Sequence, residues 1–374
     1  MPSSHLPPRC WAELDSDALL HNADTALAQG GTDIMAVVKA NAYGHGAVWA
    51  ARVLEDRSTL FAVANLHEAE ELREAGITRP ILLFSPCLSE EWEPALKLGF
   101  HVPISTLEEA QALDALAADL GLRASAHLAL DTGMGRVGFL EEEWGEPVIE
   151  ALLKLPHVTW MGLATHLPSP DEDENFTRAQ MARFKAIVET AQRHGLAPKW
   201  IHAANSAGLL GYDEPRGWCN LTRPGLMLYG VSPLPEEQDR VRPVLTWKTR
   251  VTLVRELPAG HGVSYGRTFI TERPTLIATL ACGYADGYPR QVSGKGAQVL
   301  IHGRRCPILG RVTMDQILVD VTTLDDPVML GDEVVLLGRQ GDEEIPATEL
   351  AGWAGTIAWD VFTGIGARVR RVAV

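Results

Sequence analysis

Lys39 closes the apolar run IMAVVK (34–39) and opens the turn ANAYGHG. An amine leaving the end of a buried strand is desolvated there, which lowers its pKa and frees it for Schiff-base chemistry. The same placement suits a lysine whose stem packs while its ammonium reaches water, and position alone favours that plainer use. Other run ends carry polar groups: Asp131 with Arg136 in DTGMGR, His166 in TWMGLATH, Asn205 and Ser206 in KWIHAANS, and Arg223 ahead of GLMLYG. Each has an ordinary structural use, but several converging on one place would make a site. Ser206, followed by AGLLG, and Gly225, after Pro224, offer a hydroxyl and small-residue N–H groups of the kind that cradle phosphate. A guanidinium such as that of Arg223 keeps its protons and can only donate, so beside a ring nitrogen it would leave that nitrogen unprotonated. Further along, HGVSYGRTF presents Tyr265, and ACGYADGYPR presents Tyr284 and Tyr288. Loop tyrosines serve equally often as packing residues.

The elements that must position these groups are legible as a pattern. Between about residues 30 and 230, short apolar runs alternate with amphipathic helical stretches, as in repeated βα units. Strand candidates are 34–39, 61–65, 80–84, 101–105, 126–131, 159–166, 199–205 and 225–230, about eight, the number that closes a parallel (β/α)8 barrel of the TIM type. In such a barrel the reactive groups sit at the C-terminal strand ends, where Lys39, Asp131, His166 and Asn205 are expected. Asn65 with Glu68, and Ser105 with Glu108, have the spacing of helix-capping boxes, with Gly76 and Gly121 as the matching stops. A further helix is expected from about Asn175 to Gly195. After about residue 240 the texture changes to short β-rich runs such as VLTWKTRVTLVREL, TLIATLACG, AQVLIHG, QILVDVT and DEVVLLG, separated by Gly, Pro and Asp, which predicts a mainly antiparallel β domain. The expected division is a barrel over 12–240 and a β domain over 241–374, with residues 1–11 packing on the latter and SPLPEEQD as the linker.

Bulk properties narrow the classes of partner. The 374 residues exceed the size at which single cores stop growing. With 33 basic and 48 acidic residues the net charge is −15, which opposes binding to nucleic acid or anionic lipid. Cys10, Cys87, Cys219, Cys282 and Cys306 are scattered and never spaced as C-x-x-C, which fits neither a disulfide framework nor a zinc site and suits a reducing cytoplasm. No leader pattern and no run of some 18 apolar residues is visible, so no membrane association is expected.

At these residues the sequence resembles the alanine racemases, pyridoxal 5′-phosphate enzymes with a barrel and a C-terminal β domain, over essentially its whole length. AVVKANAYGHG, DTGMGRVGF, HAANSAG, TRPGLMLYG, VSYGRTF, GYADGYPR and GRVTMDQ match family segments in the family's order, and WAELDSDAL is similar to its opening strand and helix. The resemblance implies an isomerase that interconverts L- and D-alanine by a two-base mechanism, supplying D-alanine for peptidoglycan and cell wall biogenesis. It implies that Lys39 binds the cofactor through an imine and acts as one base. Tyr265 would act on the opposite face from the other subunit of a homodimer. Arg223 would face the pyridine nitrogen; Tyr43, Ser206 and Gly225 would hold the phosphate, with Asn205 nearby; His166 would support Tyr265. Arg136 would lie near the substrate carboxylate, Met314 would bind substrate from the partner subunit, and Tyr284 and Asp315 would belong to the entry channel. No metal is implied.

Two positions depart from the family pattern. Where a lysine that is often carbamylated orients the arginine of DTGMGR, this chain has Ala129, so Arg136 needs another support such as a bound anion. Where a tyrosine usually contacts the phosphate and narrows the entrance, TIAWDVFTG places Trp359, which leaves serine or larger amino acids open as substrates. Competing readings are a broader-specificity racemase, a decarboxylase of related fold, which would need a carboxylate where Arg223 stands, and a non-catalytic pyridoxal-phosphate-binding protein, which would lack the β domain and the VSYGRTF tyrosine.

Overall fold

The computed structural model describes residues 7–374. They fall into two compact units: one of Ala18–Ala42 and Gly46–Arg242, the other of the N-terminal residues through Asp17, Tyr43–His45 and Pro243–Val374. Of the N-terminal segment expected to pack on the β domain, residues 1–6 lie outside the described residues. Strand β1 (Cys10–Leu14) belongs to the second unit.

The first unit is a parallel barrel. Its strands are β2 (Asp33–Val37), β3 (Leu60–Val63), β4 (Ile81–Leu83), β5 (His101–Ile104), β6 (Ala124–Asp131), the two-residue β7 (Phe139–Leu140), β8 (Val158–Ala164), β9 (Trp200–His202) and β10 (Leu221–Thr222). They are ordered β10-β2-β3-β4-β5-β6-β8-β9, every pairing is parallel, and β7 adds to β6. The N–H of Asn220 donates to Ile201 O at 3.1 Å and that of Arg223 to Ala204 O at 2.9 Å, so the last two strand segments meet and nearly close the ring. Strands covered on both faces read as continuous apolar runs, and LFAV, ILL and WIH are buried at every position.

Two local expectations need correction. The run GLMLYG (225–230) is not the eighth strand: Leu226–Tyr229 is a 3-10 turn, and the strand is Leu221–Thr222 just before it. All four turn residues are buried, and a short run that is apolar on every side carries no periodicity to separate strand from turn. The cap expected at Ser105 and Glu108 is shifted by one: Thr106 accepts from Glu109 N at 3.1 Å, and the Glu109 carboxylate returns to Ser105 N at 2.7 Å. Asn65 caps the helix Leu66–Glu74, accepting from Glu68 N at 3.1 Å, and Glu174–Arg193 is the long helix expected before Gly195.

The second unit is built on β11 (Leu245–Leu257), whose LTWKTRVTLVREL alternates buried and more exposed positions along most of its length, as a half-covered strand must. Around it lie β12 (Gly262–Val263), β13 (Phe269–Ile270), β14 (Thr275–Leu280), β15 (Gln298–Ile301), β16 (Arg304–Pro307), β17 (Ile317–Asp320), β18 (Glu333–Gln340), β19 (Glu343–Ile345) and β20 (Arg370–Ala373). The sheet runs β16-β15-β18-β11-β1-β20, with β14 joining β11 to β17 and β19 pairing β18. Among the described residues of this sheet, only β1 with β20 is parallel. β12 and β13 form a separate hairpin.

Candidate active site

β2 ends at Val37, one further backbone bond from Val38 N to Ala62 O holds the chain to β3, and Lys39 then leaves the barrel. Past Lys39 the backbone enters a left-handed turn: Ala40, Asn41, Ala42 and Tyr43 all have φ between 50° and 54°. This conformation costs an L-residue roughly 1–2 kcal/mol, so four in succession require outside support. Glu68 supplies it, its carboxylate accepting from Ala40 N and from Ala64 N, each at 2.8 Å. Asn41 adds a second clasp, its carbonyl accepting from Gly46 N and its side chain from Ala47 N, each at 2.8 Å. The turn thereby fixes where the Lys39 stem points. Burial, followed by the nearby Arg136 charge, lowers the lysine pKa, with Glu68 opposing. Its amine has no hydrogen-bond partner among the described residues.

Arg223 sits directly after β10, at a C-terminal strand end like the other candidates, rather than ahead of a strand. It is 5% exposed, and its donors are almost all committed. Nη1 donates to His202 Nδ1 at 2.7 Å and His202 O at 2.8 Å; Nη2 donates to Thr165 O at 2.7 Å, Ala203 O at 2.9 Å and His166 Nδ1 at 3.3 Å. Only Nε is left without an acceptor among the described residues. Burial, then the charges of Arg223, Arg136 and Lys39, pushes His166 down to about 3. His166 is therefore neutral, and because Arg223 donates to Nδ1 its proton lies on Nε2.

The remaining barrel candidates divide by role. Ser206 Oγ accepts from Gly225 N at 3.0 Å and Met227 N at 3.3 Å, which draws the two small-residue turns to one point. The Asn205 side chain is committed to the backbone instead, accepting from Gly208 N at 3.0 Å and donating to Leu167 O at 3.1 Å, so it shapes the turn that carries Ser206. Asp131 likewise folds its own loop, accepting from the N–H groups of Gly133, Met134 and Arg136. Burial acts against its charge, but those donors hold its pKa below the usual carboxylate range. The Arg136 side chain is exposed and has no ion-pair partner among the described residues. Ala129 lies in β6 opposite Ala164 and offers it nothing polar.

In the second unit, Tyr265 starts the short turn Tyr265–Arg267 and is 72% exposed. The segments of Tyr284 and Met314 are tied together, Tyr284 N donating to Thr313 O at 3.0 Å and Ala285 N to Met314 O at 2.9 Å. Asp315 holds Arg368 at 2.9 Å, and Arg368 also reaches Asp286 at 3.3 Å. Trp359 is partly exposed on the helix Ala358–Gly364. Burial raises the Tyr43 phenol to about 12. Tyr288, by contrast, is a core residue, fully buried with its ring centroid 5.7 Å from that of Trp247.

Comparison with known proteins agrees with this geometry. Residues 14–233 match the family model described as alanine racemase, N-terminal domain, and residues 244–373 that described as alanine racemase, C-terminal domain. The chain belongs to the alanine racemase family. An alanine racemase of Symbiobacterium thermophilum is 46% identical over 367 residues, 96% of each chain. Among solved structures, the alanine racemase of Streptomyces lavendulae superposes with a TM-score of 0.90 at 36% identity, covering 99% of this chain and 98% of that one. That of Bartonella henselae, solved with covalently bound pyridoxal phosphate, gives 0.88 at 29% identity, covering 98% and 100%.

Within this alanine racemase fold, the residues that sequence reasoning did not single out as site-shaping are Glu68, His202, His127 and His101. Glu68 was visible only as a capping partner, although its carboxylate lies on Ala64 and Ala40. The histidines each interrupt an apolar strand, the one signal available in HVPI, ASAHLALD and WIH.

Proposed function

We propose that this protein interconverts L- and D-alanine, using pyridoxal 5′-phosphate held at Lys39 and two bases on opposite faces of the substrate. The observation that carries the reading is the pairing of an amine of lowered pKa with a buried guanidinium whose Nε alone lacks an acceptor among the described residues. That donor set fits the cofactor: a carbonyl carbon for the Lys39 amine and a ring nitrogen for Arg223 Nε. The Ser206 and Tyr43 hydroxyls would hold its phosphate, with Gly225, whose N–H donates to Ser206 Oγ, turning that hydroxyl toward it. His166 would lie beside the ring and Trp359 toward the phosphate side. When bound, the cofactor supplies an electron sink that acidifies the substrate Cα–H.

The chain's own groups then handle the proton. Lys39 Nζ takes it from one face and Tyr265 Oη returns one to the other, or the reverse. Arg223, which can donate but never accept, would leave the ring nitrogen of a bound cofactor unprotonated and so restrain transamination. Arg136 would orient the substrate carboxylate, as would the Met314 N–H, which has no acceptor among the described residues. The exposure of Tyr265 and Met314, 72% and 52%, suits a homodimer in which both enter the partner subunit's site. Tyr284 and Asp315 would line the entry. The product would serve peptidoglycan synthesis in the cytoplasm, and no helix among the described residues is long and apolar enough to cross a membrane.

The test is a panel of L- and D-amino acids assayed for enantiomer interconversion with the cofactor present. Alanine should be racemised fastest. Faster turnover of serine would replace alanine as the substrate, and no interconversion of any amino acid would overturn the reading.

A further inference from the structure

Arg223 is the head of a buried file of imidazoles. Beyond the 2.7 Å bond from Arg223 Nη1 to His202 Nδ1, His202 Nε2 lies 3.0 Å from His127 Nδ1, and His127 Nε2 lies 3.1 Å from His101 Nδ1. The three rings are 1%, 2% and 5% exposed. They come from the last residue of β9, the middle of β6 and the first residue of β5, so the file runs from the C-terminal strand ends to the N-terminal ones. Trp200 flanks it, stacked on His127 at 5.8 Å and 18°, and tilted on His101 at 5.9 Å. The barrel is shaped to admit it: β8 shifts register opposite His127, where its residue is Gly162.

The direction of every bond is set by its first member. A guanidinium has no lone pair to offer, so His202 Nδ1 must accept. A neutral His202 then carries its proton on Nε2 and donates to His127 Nδ1, which forces the same tautomer on His127 and in turn on His101. Burial first, then neighbouring charges, keeps all three neutral; these are Arg223 for His202 and His127, and Lys199 for His101, which is lowered to about 4.

We propose that His202, His127 and His101 are positioning residues, a tautomer-locked column that holds the Arg223 guanidinium with its Nε turned toward the ligand ring. The identity of that ring rests on the racemase reading; the column itself does not. Arg223 has two terminal nitrogens and several carbonyls to satisfy. The column fixes which edge of the guanidinium is spent on the protein, leaving Nε for the site. Polar bonds in a file polarise one another, so cutting it at His127 is felt at Arg223.

The full-length protein labelled with 15N-histidine, with and without pyridoxal phosphate, tests this directly. At pH 6 to 9 His202, His127 and His101, together with His166, should show a protonated Nε2, a bare Nδ1 and no titration; an Nδ1–H tautomer or an imidazolium at any of the three column residues overturns the proposal, whatever the protein catalyses. His127→Phe keeps a ring and cuts the file. With alanine it should lower kcat about tenfold, the scale on which outer hydrogen-bond partners act, and leave KM within about twofold. His127→Asn, whose amide oxygen still accepts from His202, should recover part of the loss. An unchanged kcat in a folded His127→Phe enzyme overturns the proposal; if that variant does not fold, the spectra of the unmodified protein decide.

Discussion

Gly162 in β8 faces His127 in β6 so closely that a Cβ at residue 162 would lie 2.0 Å from the imidazole Nδ1. The imidazole is buried and so has little room to give way. Gly162→Ala should therefore destabilise the protein by about 1–3 kcal/mol, the range for overpacked cores, measured by urea denaturation. Adding His127→Ala should relieve part of the loss, and additive effects of the two changes would show that the ring does not set the glycine.

Glu68 supports the turn that aims Lys39. Glu68→Ala removes two charge-assisted bonds to a partly buried carboxylate and should destabilise the fold by about 2–4 kcal/mol. It also removes an anion that favours charged Lys39, so the lysine pKa should fall further. The pH dependence of cofactor attachment, followed by absorbance, should shift to lower pH. A shift to higher pH would contradict the assigned electrostatics.

How much of the fold and site is legible in the sequence depends on whether the signal is local. Strand alternation with helices exposes the barrel, because parallel strands buried on both faces are short apolar runs. Lys39, Ser206 and Arg223 stand out because each sits in a turn at a run end. The two-residue β10 escapes notice because its pairing is dictated by its neighbours in the ring, and the longer apolar run after it is a turn. The histidine column is hidden because its bonds join positions 26 and 75 residues apart, so no spacing within one segment announces them. The left-handed path of Ala40–Tyr43 is likewise imposed from a distance by Glu68, since alanine has no preference for it.

Acid should weaken the fold through the buried imidazoles. His101, His127, His166 and His202 have folded pKa values below the ordinary 6.5, to about 4 for His101 and about 3 for His166. Above pH 6.5 both folded and unfolded forms are neutral and their contribution is complete. As pH falls below that value the unfolded chain binds protons that the folded one refuses, so stability drops by up to about 1.4 kcal/mol per pH unit for each histidine until its folded pKa is reached. Urea midpoints should thus fall steeply between pH 6.5 and 4. His127→Phe should flatten that slope, and an unchanged slope would show that His127 does not titrate on unfolding.

The central claim is that Lys39 and Tyr265 serve opposite faces of one substrate, and Cα-hydrogen exchange in D2O by Tyr265→Phe tests it most directly. With pyridoxal phosphate bound, this variant should lose racemisation by about 100-fold or more, the scale of a missing general acid or base. It should still exchange the Cα-hydrogen of one alanine enantiomer with retention of configuration. Undiminished racemisation of both enantiomers would contradict the account.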